Sequence, residues 1–316
     1  MEKKLGILCL SLLLCLTGGC REKEVILENE YEYLIGVSLS NVMEPWLSHT
    51  IDSMEEEHIL DNRVNMIFKD AAGSQEKQLQ DIDQLMECGV DLLIAAPGDS
   101  LSLQEKLEEV GKEIPVVVMG IDPGTESYTA FIEFNDYEIG RLAGSYILEE
   151  QYRPGNQIVV LTGPSGSTIS ARRLQGFQDA VLGRIGEEQI HYLDGEWIRD
   201  KAENRMKDYL IVSQKADIVF AFNDEMAYGA YLAQNQYRVT GACFLGVDGF
   251  TGNLGGLDLV ERDILDATIR CSDIGILAYK TAVRILDGEE VEKHLVIEPE
   301  LITKSYPPSV PEADLH

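Results

Sequence analysis

From residue 33 onward the chain alternates short, continuous apolar runs with longer stretches whose apolar positions recur at helical spacing. The runs at 33–39, 64–68, 92–96 and 115–119 are short and rich in strand formers, so they predict strands. Helical stretches fall between them at about 46–60, at 75–88 and in a segment ending at Gly111. In the second of these, Leu79, Ile82 and Leu85 share one face, with Ser74 placed to cap the helix and Gly89 to stop it. A strand at 129–133 is followed by Asn135-Asp136, a capping pair that opens a helix over 136–150. Strands near 157–161, 190–194, 217–222 and 243–247 then alternate with helices near 170–182, 200–213 and 224–235. Two more strands, 267–269 and 295–297, fall where the chain can cross between two halves.

Strands that are apolar along their whole length and joined by helices predict parallel sheets covered on both faces. There are too many for one compact sheet, so the pattern predicts two such sheets, an α/β protein of two lobes. Open α/β sheets bind ligands outside the carboxyl ends of their strands, and two facing sheets place both sets of ends around one cleft. The length, 316 residues, suits two domains of roughly 100–150 residues each. The boundaries expected are 33–132 with 272–297 for the first lobe and 133–271 with 298–306 for the second, followed by a tail at 307–316. Charge removes one class of function: 55 Asp plus Glu against 26 Lys plus Arg repels phosphate backbones, so no nucleic-acid partner is expected.

The first thirty residues have a different composition. Lys3 and Lys4 precede an apolar run at 5–16, and Thr17-Gly18-Gly19-Cys20 follows. This reads as a secretory signal, with an apolar run shorter than the roughly 20 residues a membrane span needs. The segment resembles the bacterial lipobox, in which the thiol of the Cys is acylated; Thr17 stands where that family prefers Leu. The resemblance implies a signal peptide at 1–20, a lipid on Cys20 and a polar tether at 21–32; an ordinary cleaved signal and an anchoring helix are the alternatives. Of the other cysteines, Cys9 and Cys15 leave with the signal. Cys88, Cys243 and Cys271 are scattered, with no metal or disulfide spacing, and read as buried free thiols.

Five motifs in order resemble one known family. They are Asp70-Ala-Ala-Gly-Ser-Gln through GVDLLIAAPGDS (89–100), FNDYEIGRLAG (134–144), TGPSGSTISARRLQGF (162–177), FAFNDEMAYGA (220–230) and LGVDG (245–249). Together they are similar to the type I periplasmic-binding-protein superfamily, of ribose- or galactose-binding type, over about 33–304. That resemblance implies two Rossmann-like lobes joined by three crossover strands and a hinge that shuts around a small polar ligand, such as a sugar. It implies no cofactor, a monomer, and as partner the membrane permease of an ABC transporter or, in some members, a membrane sensor. LacI-type repressors share the ligand domain, but an export signal here takes the place of their helix-turn-helix.

A sugar site needs flat aromatic faces for C–H surfaces and polar groups that pair with adjacent hydroxyls. The chain's two tryptophans, Trp46 and Trp197, each follow a strand at a place where the family puts ring-stacking aromatics, although a lone Trp also serves as core. The resemblance further points to Arg173 (rather than Arg172), Asn223 and Asp248 as polar contacts; Asn223 can equally be a helix cap. Asp70 and Ser74 are weaker candidates after the second strand. Ribose binders carry Asp-Arg after the fourth strand, and Gly120-Ile121 stands here instead, which argues against ribose itself. The hinge position falls on Ile269-Arg270-Cys271; Arg270 turned inward would favour an acidic, phosphorylated or heavily hydroxylated ligand, and it can equally point outward. An enzyme finds little support: the five histidines have no triad or metal spacing, and Gly163-Pro-Ser-Gly-Ser167 lacks the ending of a P-loop. That segment reads as a tight loop at the cleft rim.

Overall fold

The computed structural model describes residues 31–305 except 100, 240 and 272. The expected signal peptide, Cys20, most of the tether and the tail lie outside the described residues. Among those described, no helix is long and apolar enough to cross a membrane.

The first sheet contains β1 (Tyr33–Leu39), β2 (Val64–Asp70), β3 (Leu92–Ala96), β4 (Val116–Met119), β5 (Ala130–Phe134) and β11 (His294–Ile297). Its order is β11-β5-β4-β3-β1-β2, and every pairing is parallel. The second sheet contains β6 (Ile158–Thr162), β7 (Ile190–Asp194), β8 (Ile218–Ala221), β9 (Cys243–Asp248), β10 (Ala267–Arg270) and β12 (Glu300–Thr303). Its order is β12-β10-β9-β8-β6-β7, parallel except for the antiparallel edge strand β12. The two-lobed α/β architecture that the apolar pattern predicts is therefore the one observed.

Strand alternation divides the first lobe into two cores. Ile35, Val37 and Leu39 of β1, with Leu92, Ile94 and Ala96 of β3, face α1 (Pro45–Leu60) and α9 (Ile274–Leu286). Leu93 and Ala95 point the other way, onto α2 (Gln75–Glu87) and α3 (Gln104–Val110). Burial on both faces is why these strands read as unbroken apolar runs. In the second lobe α4 (Asp136–Tyr146) pairs with α5 (Thr168–Val181), and α6 (Arg199–Ser213) with α7 (Asp224–Tyr237). The short α8 (Gly256–Glu261) lies against β9 and β10. The sequence pattern leaves α8, α9 and β12 unassigned, and it carries the α4 helix to residue 150, where the structure widens into a π-helical turn over Ile147–Gln151.

The chain crosses between the sheets three times: from β5 to α4, from β10 to α9 and from β11 to β12. Polar contacts tie the crossings together. The Asn135 amide donates to both Glu298 carboxylate oxygens at 3.1 Å. Glu133 of β5 accepts from Arg172 of α5 at 3.1 Å and sits 3.1 Å from His294 Nε2. Nearby, the His49 ring of α1 stacks on Phe250 of the second lobe with centroids 4.1 Å apart. Of the three cysteines among the described residues, only Cys243 is buried; Cys88 is exposed at the end of α2, against expectation, because it follows the last core-facing turn of that helix.

Helices α4 and α5 approach unusually closely. A Cβ on Gly140 would lie 1.8 Å from the Arg173 carbonyl oxygen, and one on Gly176 would lie 1.9 Å from the Tyr137 carbonyl oxygen. Neither backbone can move aside without parting the helices, so Gly176→Ala should lower the unfolding free energy by about 1–3 kcal/mol or more. Gln175→Ala, exposed on the same helix, should change it by less than about 0.5 kcal/mol. Urea denaturation of the two variants measures both, and equal losses would contradict the close-packing explanation.

Candidate functional site

Strand order reverses beside β1 in the first sheet, which pairs with both β2 and β3, and beside β6 in the second, which pairs with both β7 and β8. Loops after such strands diverge and leave a crevice. A cavity of about 310 Å³ occupies this place, at the lower end of the range for small-molecule sites. Its walls come from the loop after β1 and the first turn of α1 (Ser40, Glu44, Pro45, Trp46) and from the loops after β3 (Pro97, Gly98, Asp99) and β4 (Gly120, Ile121) on one side. Opposite lie the loop after β6 (Pro164, Gly166, Ser167), the first turn of α5 (Thr168, Ile169), Arg173, Trp197, Phe222, Asn223 and Asp248, with Phe134 and Cys271 at the crossings.

The two indoles are held by glycines. Gly120 has φ of +86°, and a Cβ there would come within 2.9 Å of the Trp46 ring. The Trp46 indole N–H donates to Glu44 at 3.1 Å. The Asp-Arg pair of ribose binders is thus replaced by a backbone that leaves room for an aromatic face. On the other wall a Cβ on Gly163 would lie 2.1 Å from Trp197, so that glycine is needed for the ring's position. Glu196 and Trp197 have φ of +52° and +64°, two successive left-handed residues without glycine's freedom. The Asp194 carboxylate, accepting from the Glu196 N–H at 3.0 Å, helps fix this turn. Such strain concentrates at ligand-binding positions.

Arg173 is buried beneath the cavity. Its Nε and Nη2 donate to Asp136 Oδ1 at 3.2 and 2.6 Å, and Nη1 donates to the Phe222 carbonyl. Two of its five N–H groups stay unclaimed by these bonds. Burial pushes the Asp136 carboxyl up, while for Arg173 the carboxylates around it outweigh burial and raise it further. A guanidinium stays charged in a protein, so the short ion pair is the state that holds. The guanidinium carbon also lies 5.8 Å from the Trp197 ring centroid.

Asn223 is both a cavity wall and a helix cap. Its Oδ1 accepts from the Met226 N–H at 2.8 Å and its Nδ2 donates to the Trp197 carbonyl at 3.1 Å, which leaves one amide N–H for a ligand. Asp248, with φ of +109°, ends β9 at the cavity, and burial first, then the neighbouring Asp224 charge, lifts its carboxyl well above the usual range.

Five of the seven sequence candidates thus line one cavity, and two do not. Asp70 accepts from the Val42 and Ala72 N–H groups at 3.1 and 2.9 Å, bracing the loop that carries Trp46 from behind. Ser74 caps α2 by accepting from the Lys77 N–H. For Arg270, whose facing the sequence left open, strand alternation decides: Ile269 enters the core, Thr268 and Arg270 share the side of Asp224 and Gly249, and Cys271 turns to the cavity. Sequence reasoning missed Glu44, Asp99, Phe222 and Cys271. Glu44 stands directly before Pro45-Trp46, and Asp99 ends a Pro-Gly-Asp turn after β3, so position after a strand end was the available signal. Among the described residues, no group of His, Cys, Asp or Glu is arranged to hold a metal ion.

Two sheets whose strand ends meet around a cavity walled by both define a two-lobed ligand-binding protein. The periplasmic binding protein domain model matches residues 35–290, and the chain belongs to that family. It is 28% identical over 268 residues to the ribose import binding protein of Bacillus subtilis, covering 84% of this chain and 85% of that one. The xylitol-binding protein of Mycolicibacterium smegmatis is 26% identical over 249 residues, covering 77% and 70%. Among solved structures, the fructose-binding periplasmic domain of a hybrid two-component system matches with TM-score 0.75 and 32% identity, covering 86% of this chain and 91% of that one. A Bacillus halodurans ABC transporter solute-binding protein with bound myo-inositol matches with TM-score 0.74 and 25% identity, covering 88% and 96%.

Beneath the cavity, Asp224 is buried, with its two oxygens accepting from Thr268 Oγ1 at 2.7 Å and the Gly249 N–H at 2.8 Å. Burial nevertheless outweighs these bonds and raises its pKa to about 7. A carboxyl raised on folding stabilises the fold most below its unfolded pKa and loses that contribution as pH rises through the folded value. Stability should therefore fall between about pH 4 and 7, and Asp224→Asn should flatten that slope. Urea unfolding at several pH values tests this; an unchanged slope in the variant would rule Asp224 out as the cause.

Proposed function

We propose that this chain is an exported, lipid-anchored binding protein that captures a sugar or polyol by closing two lobes on it. The observation that carries the reading is a cavity walled by one tryptophan from each lobe, with Arg173 and Asp248 beneath. Indole faces cover the C–H surfaces of a ring, and the guanidinium and carboxyl supply paired hydrogen bonds to neighbouring hydroxyls. Relatives described as binding ribose and xylitol, and structures described with fructose or myo-inositol, support a polyhydroxylated ligand. Cys20 would carry the lipid on the outer face of the cell membrane, and the protein would act as a monomer.

Delivery to the membrane permease of an ABC transporter is the principal reading, supported by the import function in the relatives' names. A second reading, presentation of the ligand to a membrane sensor, is favoured by the 32% identity to the periplasmic domain of a hybrid two-component system. Both readings use the same cleft, and both predict that Trp46→Ala or Trp197→Ala loses most ligand affinity, about tenfold or more, with the fold intact. Tryptophan fluorescence titration against a sugar panel, with circular dichroism as the fold control, measures this. Wild-type affinity in both variants would overturn the stacking arrangement.

A further inference from the structure

The cavity is unevenly charged. Its walls carry three carboxyl groups, on Glu44, Asp99 and Asp248, and among the lining residues Arg173 is the only Lys or Arg. Arg173 is engaged by Asp136 at 2.6 Å, so its charge is offset before any ligand arrives. The three carboxyl groups differ in what surrounds them. Asp99 is exposed, where water screens it. Asp248 shares its side of the cavity with Arg173. Glu44 is half-buried, its side chain is held in place by the Trp46 indole N–H at 3.1 Å, and among the described residues it makes no ion pair. Unlike Asp99 it is partly sheltered from water, and unlike Asp248 it has no cation beside it.

We propose that Glu44 sets the charge specificity of the cleft: it admits polyhydroxylated ligands that are neutral or carry an ammonium group and rejects those bearing a carboxylate or phosphate. This deepens the sugar-binding reading and rests on it. A carboxylate beside an aromatic face accepts hydrogen bonds from hydroxyl or ammonium donors, and it repels an anion at the same distance. The hydrogen bond to Trp46 opposes a swing of Glu44 away from the cavity, so a rotamer change that admitted an anion would forfeit that bond. The chain's net charge of −29 adds a weaker, salt-screened repulsion in the same direction.

Isothermal titration calorimetry on the full chain tests this with matched ligands. The probes are glucose, galactose, fructose, ribose and myo-inositol, the phosphate ester of each, glucuronate and galacturonate, and glucosamine and galactosamine. Every anionic form should bind at least about tenfold more weakly than its neutral parent, and the amino sugars should bind at least as well as theirs. Glu44→Gln keeps an acceptor for the Trp46 N–H and removes the charge, so it should narrow the neutral-to-anion ratio by about tenfold. An anionic form binding within about threefold of its parent, or a ratio unchanged in Glu44→Gln, overturns the role of Glu44 while leaving sugar binding intact. Failure of the whole panel to bind overturns the sugar reading, and this inference with it.

Discussion

The arrangement of this protein depends on how closely α4 and α5 pack. Gly140 and Gly176 let each helix press against the other's backbone, and only at that separation does Arg173 on α5 reach Asp136 at the start of α4. A buried guanidinium must be paired and hydrogen-bonded to be tolerated, and here Asp136 and the Phe222 carbonyl do both. The pair links the first crossing between the lobes, the α5 helix and the end of β8 in one place. The cavity floor, the Trp197 backbone held by Asn223 and the Glu133–Arg172 contact all lie around it.

From that base the two walls are built by the same device on opposite sides. Each lobe turns a tryptophan toward the cavity from just beyond a strand end, and each indole rests where a glycine leaves no Cβ. One wall is apolar and acidic, with Trp46, Ile121 and Glu44; the other holds Trp197, Arg173 and Asp248. A ligand that satisfies both must offer a ring face and many hydrogen-bond donors, and it gains both only when the lobes meet. The interlobe stack of His49 on Phe250 and the Asn135–Glu298 bonds lie at the crossings, where they tie one lobe to the other.

Much of the fold was legible because parallel strands buried on both faces leave continuous apolar runs, and eleven of the twelve described strands coincide with runs that the pattern picks out. The exception, β12, is a half-exposed antiparallel edge strand with little apolar signal. The helix α9 was missed although its apolar face is strong, because it lies between two crossings where lobe assignment was the open question. Within the site, Trp46, Trp197 and Asp248 stood out as aromatics and a carboxylate after strand ends. The facing of Arg270 stayed open in the sequence because a shift of one residue along a strand reverses the face, and composition carries no register. Glu44 was harder to read for a different reason: its place after a strand end was the one signal, and among 55 acidic residues it suggests no role until the structure sets it against Trp46.

The central claim is that one ring-shaped, polyhydroxylated ligand is held between the two lobes. A crystal structure of the complex with whichever panel sugar binds tests it directly. The account predicts the ring lying between Trp46 and Trp197, with hydroxyls at Arg173 and Asp248. A ligand bound to one lobe alone, or outside this cavity, would contradict it.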